Sequence, residues 1–481
     1  EEEYFIAGGA TIFNYASNPP VRDELVPIFE DVPYKTRIIV RRPPTHGPFN
    51  GTVIIEWWNS TAGFDTAPVW DASAEYFARN GIVYVGVTNS STSLGFLLPT
   101  NPNNPDSACN LVIINVEDCG TRYADLSLPE NGQAYEMVSQ IANLLKNGAN
   151  SPLPPKFGVQ RIFHAGQSQQ GGSMVTYATA FHLPGVNDGY FIQAASSARP
   201  VNFFGQVCGS TGAPPFPGCT PRLEGDDRLV RTDLPVPVYR AMTETDLGSA
   251  NSIPPRGVLG GNTRQDDTET FRYYEMPGTA HVTVHEGVDV IPGLLALEDF
   301  CQSPLNTLAD GPVFGSFLYN AMWDNMERQV RSGLAPPHGD LIEVEAGDVK
   351  RDEFGNALGG IRLPDLDVPI ASYGPNNIVD PSIPPFLADL AGLFCVLSGT
   401  VTAFDPATLD ELYPNHGSYV GEVARHTNDL VKAGFLLPKD AAQLKTTAAL
   451  SGVGCGLGFE IVLVLPPLLW LRRGAAAWAR R

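Results

Sequence analysis

The sequence predicts an α/β protein with a mostly parallel central sheet flanked by helices. Short apolar runs such as residues 51–57 and 82–87 alternate with segments in which apolar residues recur at helical spacing. Hydrophobic residues make up 43% of the 481 residues and charged residues only 17%, which excludes a mainly disordered chain and a coiled coil. The 48 glycines and 42 prolines imply many turns, which argues against a helical bundle.

The predicted elements alternate along the first 276 residues. Each strand is a short run rich in β-branched, aromatic or aliphatic residues, and each helix has apolar residues on one face. In chain order they are a turn-broken β segment over 4–15, strands over 35–41 and 51–57, a helix over 68–80, a strand over 82–87, a helix over 133–146, a strand over 159–164, a helix over 173–181, and strands over 190–195, 236–242 and 271–276.

One catalytic domain over residues 1–450 accommodates these elements, although a soft rule of roughly 150 residues per domain would allow about three. Residues 97–130 and 200–233 are irregular excursions, which we expect to act as lid-like insertions. Residues 301–450 are expected to be a C-terminal elaboration packed on the sheet, followed by a separate tail over 451–481.

The net charge of −21 argues against nucleic acid as a partner. A groove for nucleic acid needs clustered Lys and Arg, and this chain has 31 such residues against 52 Asp and Glu. Four arginines lie in the last 21 residues, which contain no acid. The sequence therefore predicts an acidic body with a basic tail.

The seven cysteines include no Cys-x-x-Cys pair, so a zinc ribbon is unsupported and no metal site is expected. Two pairs bracket short loops, and two further cysteines remain in the body of the chain. The predicted disulfides are Cys109–Cys119, Cys208–Cys219 and Cys301–Cys395. Disulfides imply an oxidising compartment, and seven reduced thiols in a cytosolic enzyme are the alternative. The three glutamates at the start, without a methionine, suggest a mature N-terminus left by signal-peptide removal.

The C-terminal tail has a distinctive order. An 11-residue apolar run over 461–471 is shorter than the roughly 20 residues of a membrane-spanning helix, and Pro466 and Pro467 interrupt it. A glycine-rich stretch precedes the run and arginines follow it. This order resembles bacterial C-terminal sorting signals, which a membrane protease cuts. We expect transient membrane contact, cleavage near Cys455 and an exported protein (secreted, periplasmic or on the cell surface), with a buried C-terminal strand as the alternative.

Residues 159–172 read as a strand, a tight turn and a helix, with Ser168 at the turn. The G-x-S-x-G nucleophile elbow of the α/β-hydrolase fold has this form, because strained backbone lifts the serine hydroxyl above the sheet and small neighbours leave room for it. Gly166 meets the first requirement, but Gln170 stands where the second glycine is usual and Gly171 comes one residue later. An ordinary helix N-cap is the alternative role for Ser168.

In this fold the acid and the histidine follow the nucleophile along the chain. The strand over 236–242 runs into Glu244 and Asp246, either of which could orient an imidazole; we prefer Asp246 and keep Glu244 as the alternate. The loop after the last predicted strand contains His281, the preferred base. His285 is a less direct rival.

Hydrolysis also requires backbone N–H groups that bind the oxyanion. One should come from Gln169, directly after the nucleophile, and the other from Trp58 or Asn59 in the loop after an earlier strand. Trp58 is also expected to contact substrate, because it can wall an apolar pocket together with Trp57 and Phe64. Ordinary core packing explains these aromatic residues equally well.

Six stretches appear together in a specific order: YKTRIIVRRP (34–43), FNGTVIIEWWN (49–59), GQSQQGGSMVTYATAFH (166–182), YRAMTETD (239–246), YYEMPGTAHV (273–282) and RDEFGNALGGIRLPDLDVP (351–369). Together they resemble a family of large, mostly bacterial, exported α/β hydrolase domain proteins of the carboxylesterase type. The turn in that family usually reads G-Q-S-Q-S-G, so Gln170 replaces a serine. The resemblance implies Ser168 and His281 with an acid in the TETD segment, and no particular natural substrate.

These residues predict a serine hydrolase that cleaves carboxylic esters through an acyl-enzyme intermediate. We expect a small-molecule or lipid-like ester as substrate and no metal or organic cofactor. A catalytically silent surface binding protein on a hydrolase scaffold is one alternative, which Gln170 favours. An acyltransferase or amidase that uses the same triad is the other.

Overall fold

We describe the protein from a computed structural model. The residues that it describes are 1–16, 23–44, 47–98, 122–195, 198–203, 229–247, 263–282, 300–305, 316–383, 392 and 395–453. The chain divides into two compact units. The first comprises Glu1–Ala241 and Gln265–Arg272, and the second comprises Met242–Arg264 and Tyr273–Arg481.

The first unit is built on the sheet. Its strands are β1 (Glu2–Tyr15), β2 (Leu25–Arg41), β3 (Thr52–Trp57), β4 (Val83–Val87), β5 (Arg161–Gln167), β6 (Gly189–Gln193), β7 (Val238–Thr243) and β8 (Phe271–Met276), the last two of which begin in this unit and end in the second. The helices between them are α1 (Pro68–Arg79), α2 (Ser91–Leu97), α3 (Gln133–Asn147) and α4 (Gln169–Ala180). The strand order is β1-β2-β4-β3-β5-β6-β7-β8.

The centre of this sheet is parallel. Strand β3 pairs in parallel with both β4 and β5, and parallel pairing continues from β5 to β6 and from β6 to β7. Every residue of β3, β4 and β6 is buried, as expected for strands with both faces covered by helices. The predicted α/β class with a mostly parallel central sheet is therefore confirmed.

The N-terminal strands β1 and β2 form a long antiparallel hairpin at the edge of the sheet. β1 pairs with β2 along nearly its whole length, and β2 pairs antiparallel with β4. Residues 34–40 alternate between buried and half-buried, which confirms the alternation predicted for 35–41. The hairpin is longer and less interrupted than predicted, because backbone pairing runs from Glu2 with Val40 to Tyr15 with Leu25, with register shifts only between Ala10 and Phe13.

Two helices differ from the sequence prediction. Helix α4 begins at Gln169 and not at residue 173, since Gly171 and Gly172 lie inside it, buried in its first turn. Helix α2 was not expected; its first turn is capped by the Ser90 hydroxyl, which accepts a hydrogen bond from the Thr92 N–H.

The second unit contains short strands and most of the C-terminal helices. Its elements are α5 (Glu244–Leu247), α6 (Ser316–Ser332), β9 (Val344–Glu345), β10 (Asp348–Val349), α7 (Pro364–Asp367), β11 (Ala371–Gly374), β12 (Thr400–Ala403), α8 (Pro406–Leu412), α9 (His416–Ala433) and α10 (Pro438–Leu450). Strands β9 and β10 form one two-stranded sheet, and β11 and β12 form another. An apolar cluster that includes Leu409, Tyr419, Val423 and Ala448 packs α8, α9 and α10 together.

A disulfide joins Cys301 to Cys395, as predicted, and closes a loop with a sequence separation of 94 residues. The predicted pairs Cys109–Cys119 and Cys208–Cys219 lie outside the described residues, as do His285, Cys455 and most of the tail. Within the described ranges, no helix has the length and apolar character needed to span a membrane.

Candidate active site

The turn between β5 and α4 holds Ser168 in an unusual backbone conformation. Its φ is 55° and its ψ is −118°, a region that residues with a side chain rarely adopt. The Ser168 N–H donates to the carbonyl oxygen of Gln193 at the end of β6 (2.9 Å), and the Gly172 N–H donates to the Ser168 carbonyl (3.0 Å). The Ser168 side chain makes no capping hydrogen bond to α4, so the N-cap alternative does not describe this serine.

Two glycines make this turn possible. A Cβ atom on Gly166 would lie 2.4 Å from the carbonyl oxygen of Gln170, and one on Gly171 would lie 2.6 Å from that of Gln193. Real Cβ atoms essentially never come so near a backbone atom. The second close approach therefore falls three residues after the serine, which explains why Gln170 is accommodated two residues after it.

The loop after β3 contacts the serine turn through side chains. The Asn59 amide donates to the backbone and side-chain oxygens of Gln167 at 3.2 and 3.1 Å. The Ser60 hydroxyl donates to the Gln169 side-chain oxygen at 2.8 Å. These contacts tie the β3 loop to the residues on either side of Ser168.

The backbone of this loop differs from the expected oxyanion hole. The Trp58 N–H donates to the Val87 carbonyl (3.2 Å), and the Asn59 N–H donates to the Thr66 carbonyl (3.0 Å). Neither N–H is therefore available to an oxyanion in this conformation. Gln169, the other predicted donor, is the first residue of α4, where helical geometry leaves the N–H without an intrahelical acceptor.

Trp58, expected to contact substrate, lies in the core with only 5% of its surface exposed. Its indole N–H donates to the Tyr84 hydroxyl at 2.7 Å, and its ring lies so close to Gly86 that a Cβ there would be 2.2 Å away. The Tyr84 hydroxyl in turn donates to Glu56 at 2.6 Å. An aromatic pair that keeps partial exposure is Phe64 with Phe96, whose ring centres are 5.3 Å apart.

Glu56 is a buried carboxyl that the sequence analysis did not single out. It accepts hydrogen bonds from the Val69 and Trp70 N–H groups at the start of α1, both at 2.9 Å, as well as from Tyr84. Burial raises the pKa of Glu56 to about 8. Its contacts satisfy the free N–H groups of a helix start, so its role is to join β3 to α1. A lone acid within an apolar strand is the sequence signal for it.

The second unit brings the predicted acid and base together. Asp246 Oδ1 lies 2.6 Å from Nδ1 of His281, and both side chains are almost fully buried. The other Asp246 oxygen accepts from the hydroxyl of Thr243 (2.5 Å) and more weakly from its N–H (3.3 Å). The carboxylate is thus held by the end of β7 while it contacts the imidazole.

Glu244, the alternate acid, is directed elsewhere. Its fully buried carboxylate accepts from the Gly278 N–H at 2.7 Å and from the Arg351 guanidinium at 2.6 Å. In this structure Asp246, and not Glu244, is the carboxylate bound to His281.

Comparison with known proteins assigns the chain to a family. The model of a family described as "Alpha/beta hydrolase domain" matches residues 1–446. No curated protein matches the chain. Among solved structures, an alpha-beta serine hydrolase homologue from Coxiella burnetii is 12% identical with a TM-score of 0.28, covering 52% of this chain and 84% of its own. A serine hydrolase without a lid from Xanthomonas campestris is 10% identical with a TM-score of 0.27, covering 57% and 85%. The family match spans the residues of the serine turn, the acid and the histidine, and the chain therefore belongs to the alpha/beta hydrolase domain family.

Proposed function

We propose that the protein is a serine hydrolase that cleaves carboxylic esters, with Ser168 as nucleophile, His281 as general base and Asp246 as the acid that orients it. The observation that carries the proposal is the backbone of Ser168, a non-glycine residue at a φ of 55° between a buried strand and a helix. Strained backbone of this kind is found mainly at functional sites, and a nucleophile elbow requires it at the serine. The 2.6 Å contact of Asp246 with His281 supports the other half of the triad.

The reaction follows from these roles. His281 Nε2 removes the proton from the Ser168 hydroxyl as the oxygen attacks the ester carbonyl, and Asp246 at Nδ1 stabilises the imidazolium that forms. Collapse of the tetrahedral intermediate breaks the bond to the alcohol, which leaves with the proton from Nε2. Water, deprotonated by His281, then attacks the acyl-enzyme and releases the acid and the free serine.

The oxyanion is assigned to the N–H groups of Gln169 and Ser60. Among the described residues, neither N–H has a hydrogen-bond partner, whereas those of Trp58 and Asn59 do. Ser60 also holds the Gln169 side chain through its hydroxyl at 2.8 Å. Two backbone donors that are fixed before the reaction stabilise the developing charge without reorganisation.

The substrate is proposed to carry an uncharged, apolar acyl or alcohol group. Phe64 lies in the loop that follows β3, and Phe96 lies in helix α2, which follows the parallel strand β4. Both residues are at the sheet edge where Ser168 follows β5. Ligands of open α/β sheets bind at this carboxyl edge. Two half-buried rings in contact provide an apolar wall there.

Export of the protein remains part of the proposal. The Cys301–Cys395 disulfide supports it, because such bonds persist in oxidising compartments. Transient membrane contact through the tail is retained as a proposal on the sequence order of that segment alone.

Hydrolysis of a series of p-nitrophenyl esters by purified protein tests the assignment. We expect turnover in the wild type and a loss of several orders of magnitude in kcat for Ser168→Ala. Ser173→Ala, at a serine inside helix α4, is the matched control and should keep activity. Turnover that survives in Ser168→Ala would overturn the proposal.

A further inference from the structure

Three consecutive side chains hold the loop that leads to His281. Glu244 accepts the Gly278 N–H at 2.7 Å, Thr245 accepts the His281 N–H at 3.1 Å, and Asp246 contacts the imidazole at 2.6 Å. The short helix α5 therefore holds the loop at three points: Gly278 near its start, the backbone N–H of His281, and the imidazole ring of His281. Of these three contacts, only that of Asp246 belongs to the triad.

The Glu244 carboxylate, which accepts the Gly278 N–H, is also paired with an arginine far along the chain. Arg351 Nη2 donates to the second Glu244 oxygen at 2.6 Å, across 107 positions of sequence. The Glu244 side chain is fully buried, and that of Arg351 is 32% exposed. A buried carboxylate is costly unless it is paired, so this guanidinium compensates the Glu244 carboxylate and fixes its position.

Arg351 is itself held in a defined position. Its Nη1 donates to the Gly355 carbonyl at 2.9 Å, and its backbone forms a bridge with Ala357. Asp352 closes the turn between them by accepting the N–H groups of Phe354 and Asn356. The guanidinium therefore approaches Glu244 from a preformed turn.

The same C-terminal segment also supports the second contact. The Thr245 hydroxyl donates to the Pro375 carbonyl at 2.5 Å while it accepts the His281 N–H. Residues 351–375 thus support two of the three side chains that hold the histidine loop.

We propose that Arg351 is a positioning residue for the general base: it neutralises Glu244, so that Glu244 fixes the histidine loop while Asp246 contacts the imidazole. This inference rests on the proposed function. Among the described residues, the charged groups of the second unit near the loop include Asp246, Glu244, Arg351, and Glu275 of β8, which is paired with Arg264 at 2.7 Å.

The inference predicts pH effects of opposite sign for the two halves of the pair. Arg351→Gln leaves the Glu244 carboxylate uncompensated, which favours the imidazolium and moves the acid limb of kcat/KM to higher pH. Glu244→Gln leaves the guanidinium charge uncompensated and moves that limb to lower pH. Each shift should be about half to one pH unit, and the double variant should return the limb to near its wild-type position.

The kinetic constants separate positioning from substrate binding. Because a small displacement of the base reduces the rate without altering ester binding, kcat of Arg351→Gln should fall ~10-fold or more, with KM nearly unchanged. Arg351→Lys keeps the charge but loses the planar fork, so it should keep the wild-type acid limb with a partly restored kcat. It also serves as the folded variant should Arg351→Gln fail to fold.

Lys350→Gln is the matched control. It removes one positive charge from the adjacent residue, which is paired with the exposed Glu343 at 3.0 Å, and should leave both kcat and the acid limb unchanged. Acid limbs that move in the same direction for both single variants, or that do not move in either, would overturn the inference. Wild-type protein that fails to react with a fluorophosphonate would instead overturn the proposed function, which keeps the two failures distinct.

Discussion

The geometry of the serine turn predicts that a glycine is required at position 171 and not at position 170. In Gly171→Ala the new Cβ would lie 2.6 Å from the Gln193 oxygen and 2.8 Å from the Ala195 Cβ, where ordinary contact begins at 3.4 Å. The Gln193 oxygen is also the acceptor of the Ser168 N–H. Relief of the clash must therefore displace either the end of β6 or Ser168.

The expected cost follows from overpacking in a dense core, about 1–3 kcal/mol in the free energy of unfolding. If a similar amount is lost from transition-state stabilisation, kcat/KM falls roughly 5- to 150-fold. Gln170→Ser is the control; it adds no atom to a close approach and should change kcat/KM by less than about twofold. Urea unfolding and steady-state hydrolysis of a p-nitrophenyl ester measure both effects. Wild-type stability and activity in Gly171→Ala, or loss of both in Gln170→Ser, would refute this reading of the turn.

Three further predictions concern separate parts of the molecule. Burial raises the pKa of Glu56 to about 8, so between pH 5 and 8 the unfolded state binds fewer protons than the folded state, and the free energy of unfolding of the wild type should fall as pH rises. Glu56→Gln lacks this dependence, so chemical denaturation at several pH values should show the difference in stability between wild type and variant narrowing as pH rises. Cys301→Ser combined with Cys395→Ser opens a loop with a sequence separation of 94 residues and should lower the free energy of unfolding by about 4–5 kcal/mol, measured with guanidinium. Ser60→Ala removes the 2.8 Å contact with Gln169 and should lower kcat roughly 5- to 10-fold with little change in KM, while unaltered kcat would contradict a role for that contact.

Local sequence patterns were sufficient to predict those features of the structure that depend on residues adjacent in the chain. The apolar runs that became β3, β4 and β6 are buried on both faces, so composition alone marks them as parallel strands. The turn at Ser168 could be predicted because it depends on residues that are adjacent in sequence, between a strand and a helix. The Asp246–His281 contact was predicted from chain order in the fold.

Other features depend on contacts that sequence spacing does not reveal. Trp58 is buried because Gly86 and Tyr84 on the neighbouring strand receive its ring, a pairing that appears only when β3 and β4 are aligned. The start of α4 was misplaced because Gly171 and Gly172 lower helix propensity, yet close packing on β6 favours glycine there. Arg351 meets Glu244 across 107 positions, and no local pattern connects them.

Fluorophosphonate labelling followed by peptide mass spectrometry gives a direct test of Ser168 as the nucleophile. We expect a single adduct on Ser168, formed in proportion to the loss of esterase activity, with labelling strongly slowed in His281→Ala and absent in Ser168→Ala. An adduct on a different serine that tracks the loss of activity, or hydrolysis that continues in fully labelled protein, would contradict it.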